Sequence, residues 1–208
     1  MADLPELRVT VFSDYICPFC YVGHHRLMRL RDAYELKINW CFVEIHPETD
    51  AAGEPVSSLD YPSAYWNQLM QNLEAVAAEE GIRIAAHDFT TNSHDALLLA
   101  EAAKQLGRDT FYSLHEKLFA AFFTEQVNIG DRDNLRSIAR ACGIADDVIE
   151  SAWLDEQYRQ RLLHNYSLAR RYEIQGVPAF IFGERKLSGV VSEEVMRSAA
   201  KELVSSTA

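Results

Sequence analysis

The chain has 208 residues, 48% hydrophobic and 25% charged, with a formal net charge of −11. This is the balance of a folded globular protein rather than a disordered one, and the acidic excess argues against a nucleic-acid surface or docking on anionic lipid. Met1 to Glu6 lacks the basic and apolar regions of a secretory signal, and no apolar run reaches the roughly 18 residues of a membrane helix, so a cytoplasmic location is expected, where four cysteines do not make a structural disulfide framework.

Leu7 to Phe12 alternates and is rich in β-formers, which predicts a strand ended by Ser13 and Asp14. A helix follows Cys17 and runs to about Tyr34, with Pro18 in its first turn and Leu27, Leu30 and Tyr34 on one face. Leu36 to Ile45 reads as a second strand, and His46 to Pro62 as a loop. Helices are then expected over Tyr65 to Glu80, from a cap at Asn92 or Ser93 to Gly107, over Thr110 to Phe123, and from a cap at Asp131 to Cys142. One or two more cover Ala145 to about Tyr172. Ala179 to Phe182 is a short apolar strand, Gly183 to Arg185 a turn, and Lys186 to Val190 its hairpin partner. Ser192 opens a final helix. The order is β-α-β, a block of helices, then α-β-β-α.

Cys17-Pro18-Phe19-Cys20 falls between the first strand and the first helix. A thiolate, not a thiol, attacks disulfides, and a helix N-terminus supplies free N–H groups and a positive dipole end that favour the anion. Cys17 is therefore expected to attack and Cys20, one turn on, to resolve the mixed disulfide. Two other readings stay open. The pair is half of a zinc site, which needs two more ligands although Cys41 and Cys142 stand alone, or it is two inert buried thiols.

The stretch Phe12 to Gly23 (FSDYICPFCYVG) resembles the active-site region of the DsbA-like thioredoxin superfamily, and within it the FrnE-like branch. The resemblance returns at Thr124-Glu125, at Asn128-Ile129-Gly130-Asp131 and at Gln175-Gly176-Val177-Pro178-Ala179-Phe180, and covers about residues 7 to 204. It implies an α/β fold: a thioredoxin fold, residues 7–60 and 155–204, with a large inserted all-helical domain, residues 61–154. It implies a cis Val177–Pro178 bond facing the cysteines, with Val177 and Pro178, and Pro18 and Phe19, bordering the substrate site. The activity implied is dithiol–disulfide exchange with a protein or small-thiol partner, glutathione among them, without metal or organic cofactor. The oligomeric state is left open. Related glutathione-dependent isomerases of 2-hydroxychromene-2-carboxylate and kappa-class glutathione transferases typically carry serine at the active position. An enzyme of that class using Cys17, or a zinc-stabilised or chaperone-like binding module, are the alternatives.

Among the remaining residues, His24 and His25 are expected to be solvated or packed. Glu44 is either a surface carboxylate or an acid buried beneath the resolving cysteine. Cys41 reads as a small core hydrophobe, and Cys142 as core or partly exposed. The aromatic run Phe111, Tyr112, Phe119, Phe122 and Phe123 reads as the core of the helical block, or in part as a groove wall.

Overall fold

In the computed structural model, which describes residues 4–85 and 88–207, the chain opens with strand β1 (Glu6–Ser13), helix α1 (Pro18–Arg29) and strand β2 (Glu35–Phe42). Met1 to Asp3, part of the segment read for a targeting signal, lie outside the described residues. The loop after β2 carries a two-residue strand, β3 (Glu54–Pro55), and leads into α2 (Ser63–Glu80). A second short strand, β4 (Phe89–Thr90), precedes five helices: α3 (His94–Ala103), α4 (Arg108–Phe123), α5 (Arg132–Ala141), α6 (Asp146–Leu154) and α7 (Glu156–Arg171). The hairpin β5 (Ala179–Phe182) and β6 (Arg185–Ser188) and helix α8 (Glu193–Thr207) complete the chain.

The main sheet has the order β2-β1-β5-β6, with β1 parallel to β2 and antiparallel to β5, and β5 antiparallel to β6. This is a thioredoxin sheet, with the helical block inserted between β2 and β5. β3 pairs with β4 in a separate two-stranded sheet.

Alternation sorts the sheet into two faces. Leu7, Val9 and Val11 of β1, with Leu36, Trp40 and Phe42 of β2 and Phe180 of β5, enter one core cluster with Cys20, Leu27 and Leu30 beneath α1. Phe12, Cys41, Val43, Ala179 and Ile181 form the other, packed against Tyr166, Leu168 and Ala169 of α7.

The differences from the expected elements have identifiable causes. β2 stops at Phe42 rather than Ile45 because the next amides leave the ladder: Glu44 N donates to Tyr166 Oη at 3.0 Å and Ile45 N to Asp14 Oδ2 at 2.8 Å. β1 runs through Ser13, whose carbonyl accepts from Val43 N. α1 ends at Arg29 and tightens into a 3-10 turn over Leu30–Asp32. Ser93 occupies the cap position of α3, but the capping bond comes from Asn92, whose Oδ1 accepts from His94 N at 2.8 Å. Asp131 caps α5 as expected, accepting from Asp133 N and Asn134 N. Asp155 divides the stretch from Ala145 to Tyr172 into two helices and caps the second through Gln157 N.

Candidate active site

Cys17 is the N-cap of α1, in extended conformation, and Pro18 takes the first helical position, where a missing N–H costs nothing. Cys20 N donates to Cys17 O at 3.0 Å, so the two thiols stand one turn apart. Both are free, and both are buried, Cys17 at 5% exposure and Cys20 at 2%. The Val177–Pro178 bond is cis, and Cys17 Sγ donates to Val177 O at 3.5 Å, so the two segments that carry the resemblance meet in space. The Val177 carbonyl is thus engaged by the Cys17 thiol. Pro18 and Phe19 are half-buried, and Phe19 leans on the cluster of Val22 with Leu73 and Ala77 of α2.

Burial, and then the neighbouring Cys17 thiol, push the Cys20 thiol well above its ordinary range, while the Asp14 N–H and the Ser13 hydroxyl act in the opposite direction. Asp14 has no exposed surface, and burial lifts its carboxyl to about 6 against hydrogen bonds from Ile45 N and Ile16 N. Its own carbonyl accepts from Cys17 N at 3.3 Å, which ties the acid to the turn that presents Cys17. Tyr15, in the same turn, shares a 2.8 Å hydrogen bond with His115 Nδ1 of α4 and packs against Phe42 and Phe119.

Gly23 sets how closely α1 approaches this region. A Cβ there would fall 2.9 Å from Phe180 Cζ and 3.3 Å from Pro178 Cγ. Ser13, Asp14, Tyr15 and Gly23 were not singled out from the sequence as site residues. The available signals were an Asp just ahead of a C-x-x-C and a glycine inside a helix.

Glu44 is neither a surface carboxylate nor the acid beneath Cys20. It accepts from His94 Nδ1 at 2.6 Å and from Tyr166 Oη at 2.9 Å, and although burial opposes it these bonds hold its carboxyl below the usual range. The acid buried in the active-site turn is Asp14 instead. His24 is packed, not solvated: it sits among Trp40, His115 and Phe119, and burial lowers its pKa to about 3. His25 is half-buried and stacks edge-on against Tyr21. Cys41 is core, and burial raises its thiol to about 11, while Cys142 is half-buried. Phe111, Phe119, Phe122 and Phe123 are core, and Tyr21 of α1 stacks on Phe119 and Phe123 at 5.2 and 5.8 Å.

The motif Asn128 to Asp131 is a staple. Asn128 Nδ2 donates to Ala51 O at 2.8 Å, and its Oδ1 accepts from Gly130 N. Gly130 passes so close that a Cβ would meet Thr91 Oγ1 at 2.2 Å and Ala51 O at 2.6 Å. The loop after β2 is thereby fastened to the helical block. A cavity of about 1100 Å³ lies over this loop, walled by Glu54, Tyr61, Trp66, Phe89 and Asn128. No cysteine lines it.

Among the described residues, no group of three or more His, Cys, Asp or Glu side chains is placed to hold a metal ion, so the zinc reading finds no further ligands beside Cys17 and Cys20. Among the described residues, no helix is long and apolar enough to cross a membrane.

A model of the family described as DSBA-like thioredoxin domain matches residues 8–201. The chain is 26% identical over 201 residues to the uncharacterized protein YwbO of Bacillus subtilis (strain 168), covering 94% of this chain and 96% of that one. Among solved structures, it is similar to a probable DsbA oxidoreductase from Streptomyces coelicolor (TM-score 0.83, 22% identity, 95% of this chain and 90% of that one). It is also similar to a 2-hydroxychromene-2-carboxylate isomerase (TM-score 0.73, 17% identity, 97% and 98%). The cytosolic disulfide reductase DsbM from Pseudomonas aeruginosa, solved with GSH, aligns at TM-score 0.67 and 15% identity over 96% of each chain.

Proposed function

Because the chain belongs to the DSBA-like thioredoxin domain family, we propose that it is a thiol–disulfide oxidoreductase acting through Cys17 and Cys20. The observation that carries this reading is Cys17 at the N-cap of α1, one turn from a buried free Cys20 and against Val177. The Cys17 thiolate attacks one sulfur of a partner disulfide. The partner's S–S bond breaks, its other sulfur leaves as a thiolate and takes a proton from water, and a Cys17–partner disulfide remains. Cys20 then loses its proton and attacks Cys17 Sγ. The Cys17–Cys20 bond forms, and the second partner thiolate departs. The partner is reduced by two electrons and the pair oxidised; run backwards, the same steps oxidise a partner dithiol.

Val177, Pro178, Pro18 and Phe19 border the entry to the sulfurs, where an extended partner adds its backbone to the chain at Val177. Substrates of this chemistry are protein disulfides or glutathione disulfide. A reducing cytosol suits the unpaired state of Cys41 and Cys142. No metal or organic cofactor enters these steps.

Insulin reduction with dithiothreitol, and trapping of mixed disulfides, test the roles. Cys17→Ser is expected to lose activity entirely and to trap nothing, whereas Cys20→Ser accumulates mixed disulfides with glutathione or a protein partner. Trapping by Cys17→Ser, or full activity in either variant, overturns the assignment. Glutathione-dependent turnover of an aromatic substrate with no disulfide exchange would place the chain with the isomerases instead.

A further inference from the structure

Ser13 is out of character with its position. It continues the face of β1 that holds Leu7, Val9 and Val11, the face packed beneath α1 with Cys20. It pairs in register with Phe42, also on that face. The residue is 1% exposed, and its hydroxyl has no hydrogen-bond partner among the described residues. A buried hydroxyl without a partner is costly, and an aliphatic side chain would satisfy the packing at no such cost. Buried orphans of this kind call for a reason, a redox role among them.

The reason lies at the resolving cysteine. Cys17 in the dithiol state has an acceptor in Val177 O. At Cys20, burial and the neighbouring Cys17 thiol oppose a thiolate, and the groups that favour one are donors, the Asp14 backbone N–H and the Ser13 hydroxyl. A neutral thiol is a weak acceptor and leaves the hydroxyl unsatisfied. A thiolate is a strong one. We propose that Ser13 Oγ–H is a catalytic hydrogen-bond donor, idle beside the Cys20 thiol and engaged when Cys20 becomes a thiolate.

This inference rests on the redox reading of the pair and goes beyond it. When a partner thiolate attacks Cys17 Sγ of the oxidised enzyme, the Cys17–Cys20 bond breaks and its electron pair stays on Cys20. Ser13 donates its hydrogen bond to that leaving sulfur without giving up the proton, and Cys20 later takes a proton from water. In the opposite direction, Cys20 gives its proton to water, and the same hydrogen bond holds the thiolate until it attacks Cys17 Sγ. Burial opposes charge on Cys20 in both directions, and Ser13 offsets part of that opposition.

The test uses Ser13→Ala and Ser13→Thr in the full chain. Cys20 alkylation by iodoacetamide at fixed alkaline pH, in a Cys17→Ser background, reads the thiolate directly and does not depend on oxidoreductase activity. Ser13→Ala is expected to slow it by about tenfold or more, the size of one hydrogen bond to a charged group, and Ser13→Thr to restore it. Reduction of the oxidised pair by dithiothreitol should slow by a similar factor, while Cys17 alkylation in a Cys20→Ser background stays unchanged. Because the hydroxyl is idle in the dithiol, reduced Ser13→Ala should melt at or above the wild-type temperature. Equal Cys20 alkylation in Ser13→Ala and wild type, or a folded Ser13→Thr that fails to restore it, overturns the proposal. If Cys20 alkylation responds as expected but no variant, nor the wild type, exchanges disulfides, the hydrogen bond stands and the redox reading falls.

Discussion

Asp14 shows how one side chain can serve geometry at the expense of stability. Its two carboxylate oxygens accept from Ile16 N and Ile45 N, and so join the turn before Cys17 to the end of β2. The same burial that makes these bonds effective disfavours the charge, with Glu44 adding a smaller repulsion, and moves the carboxyl from 3.8 to about 6. A folded state that holds this proton more tightly than the unfolded chain is favoured below about pH 4 and loses that advantage as the pH rises through 6. The rise from 3.8 to about 6 corresponds to about 3 kcal/mol. Urea unfolding of wild type and Asp14→Asn at pH 4 and pH 7 isolates the effect, since Asn does not titrate and its altered hydrogen bonding is a constant offset. The stability of wild type relative to Asp14→Asn should fall by up to about 3 kcal/mol between the two pH values. A difference that does not change with pH would show that Asp14 ionises as freely folded as unfolded. The residue was legible in the sequence only as a strand terminator, because burial of a carboxylate is decided by β2 and α3, which lie far along the chain.

At the scale of elements, α1 holds Cys20 and is capped by Cys17, and its distance from β5 sets the geometry of the candidate site. Gly23 faces Phe180, which is wholly buried. Gly23→Ala would gain about 1 kcal/mol of helix propensity on an exposed helix. Here the new methyl meets the Phe180 ring and Pro178, and overpacking of this kind typically costs about 1–3 kcal/mol. The expected result is a net loss of stability in urea and slower disulfide exchange, as α1 is pushed away from the Val177–Pro178 segment. A Gly23→Ala protein as stable as wild type and equally active would show that the contact yields freely. The main elements were readable because period-2 and period-3.6 patterns are local: β1, α2, α4, α5 and β5 lie where the alternation, Gly81 and Asp131 place them. The ends that differed depend on distant partners. Val43 to Ile45 reads as strand, yet two of its amides go to Asp14 and Tyr166. β3 and β4, two residues each, have no periodicity to read. Cys17 and Cys20 were visible because a strand, a C-x-x-C with proline and a helix follow one another without interruption. Ser13 was not, because a serine at a strand end looks the same whether it meets water or a sulfur.

At the scale of the molecule, the sheet and the helical block share one core. Val9, Val11 and Leu27 of the thioredoxin part belong to the same cluster as Leu98, Leu114, Leu118 and Phe119 of the helices between β2 and β5. Polar side chains tie the same boundary. Asn165 Nδ2 donates to Phe42 O and Glu101 Oε1, Lys104 Nζ to Trp40 O and Glu101 Oε1, and Arg26 of α1 pairs with Glu79 and Glu80 of α2. We propose residues 7–60 and 155–204 as the thioredoxin part and 61–154 as the inserted part, a division of topology and not of stability. Because neither part encloses its apolar face without the other, the two should unfold together. Leu114 is fully buried in α4, and Leu114→Ala should cost about 2–5 kcal/mol. If the core is shared, that loss lowers a single transition, seen at one temperature by far-UV circular dichroism and by tryptophan fluorescence, since Trp40 lies in the sheet and Trp66 and Trp153 in the helices. The Cys17–Val177 contact would be lost in that same transition, and with it protection of the thiols from alkylation. Two separated transitions, with Leu114→Ala moving one and leaving thiol protection at the other, would show instead that the helical block folds on its own and the Cys17–Cys20 site does not depend on it.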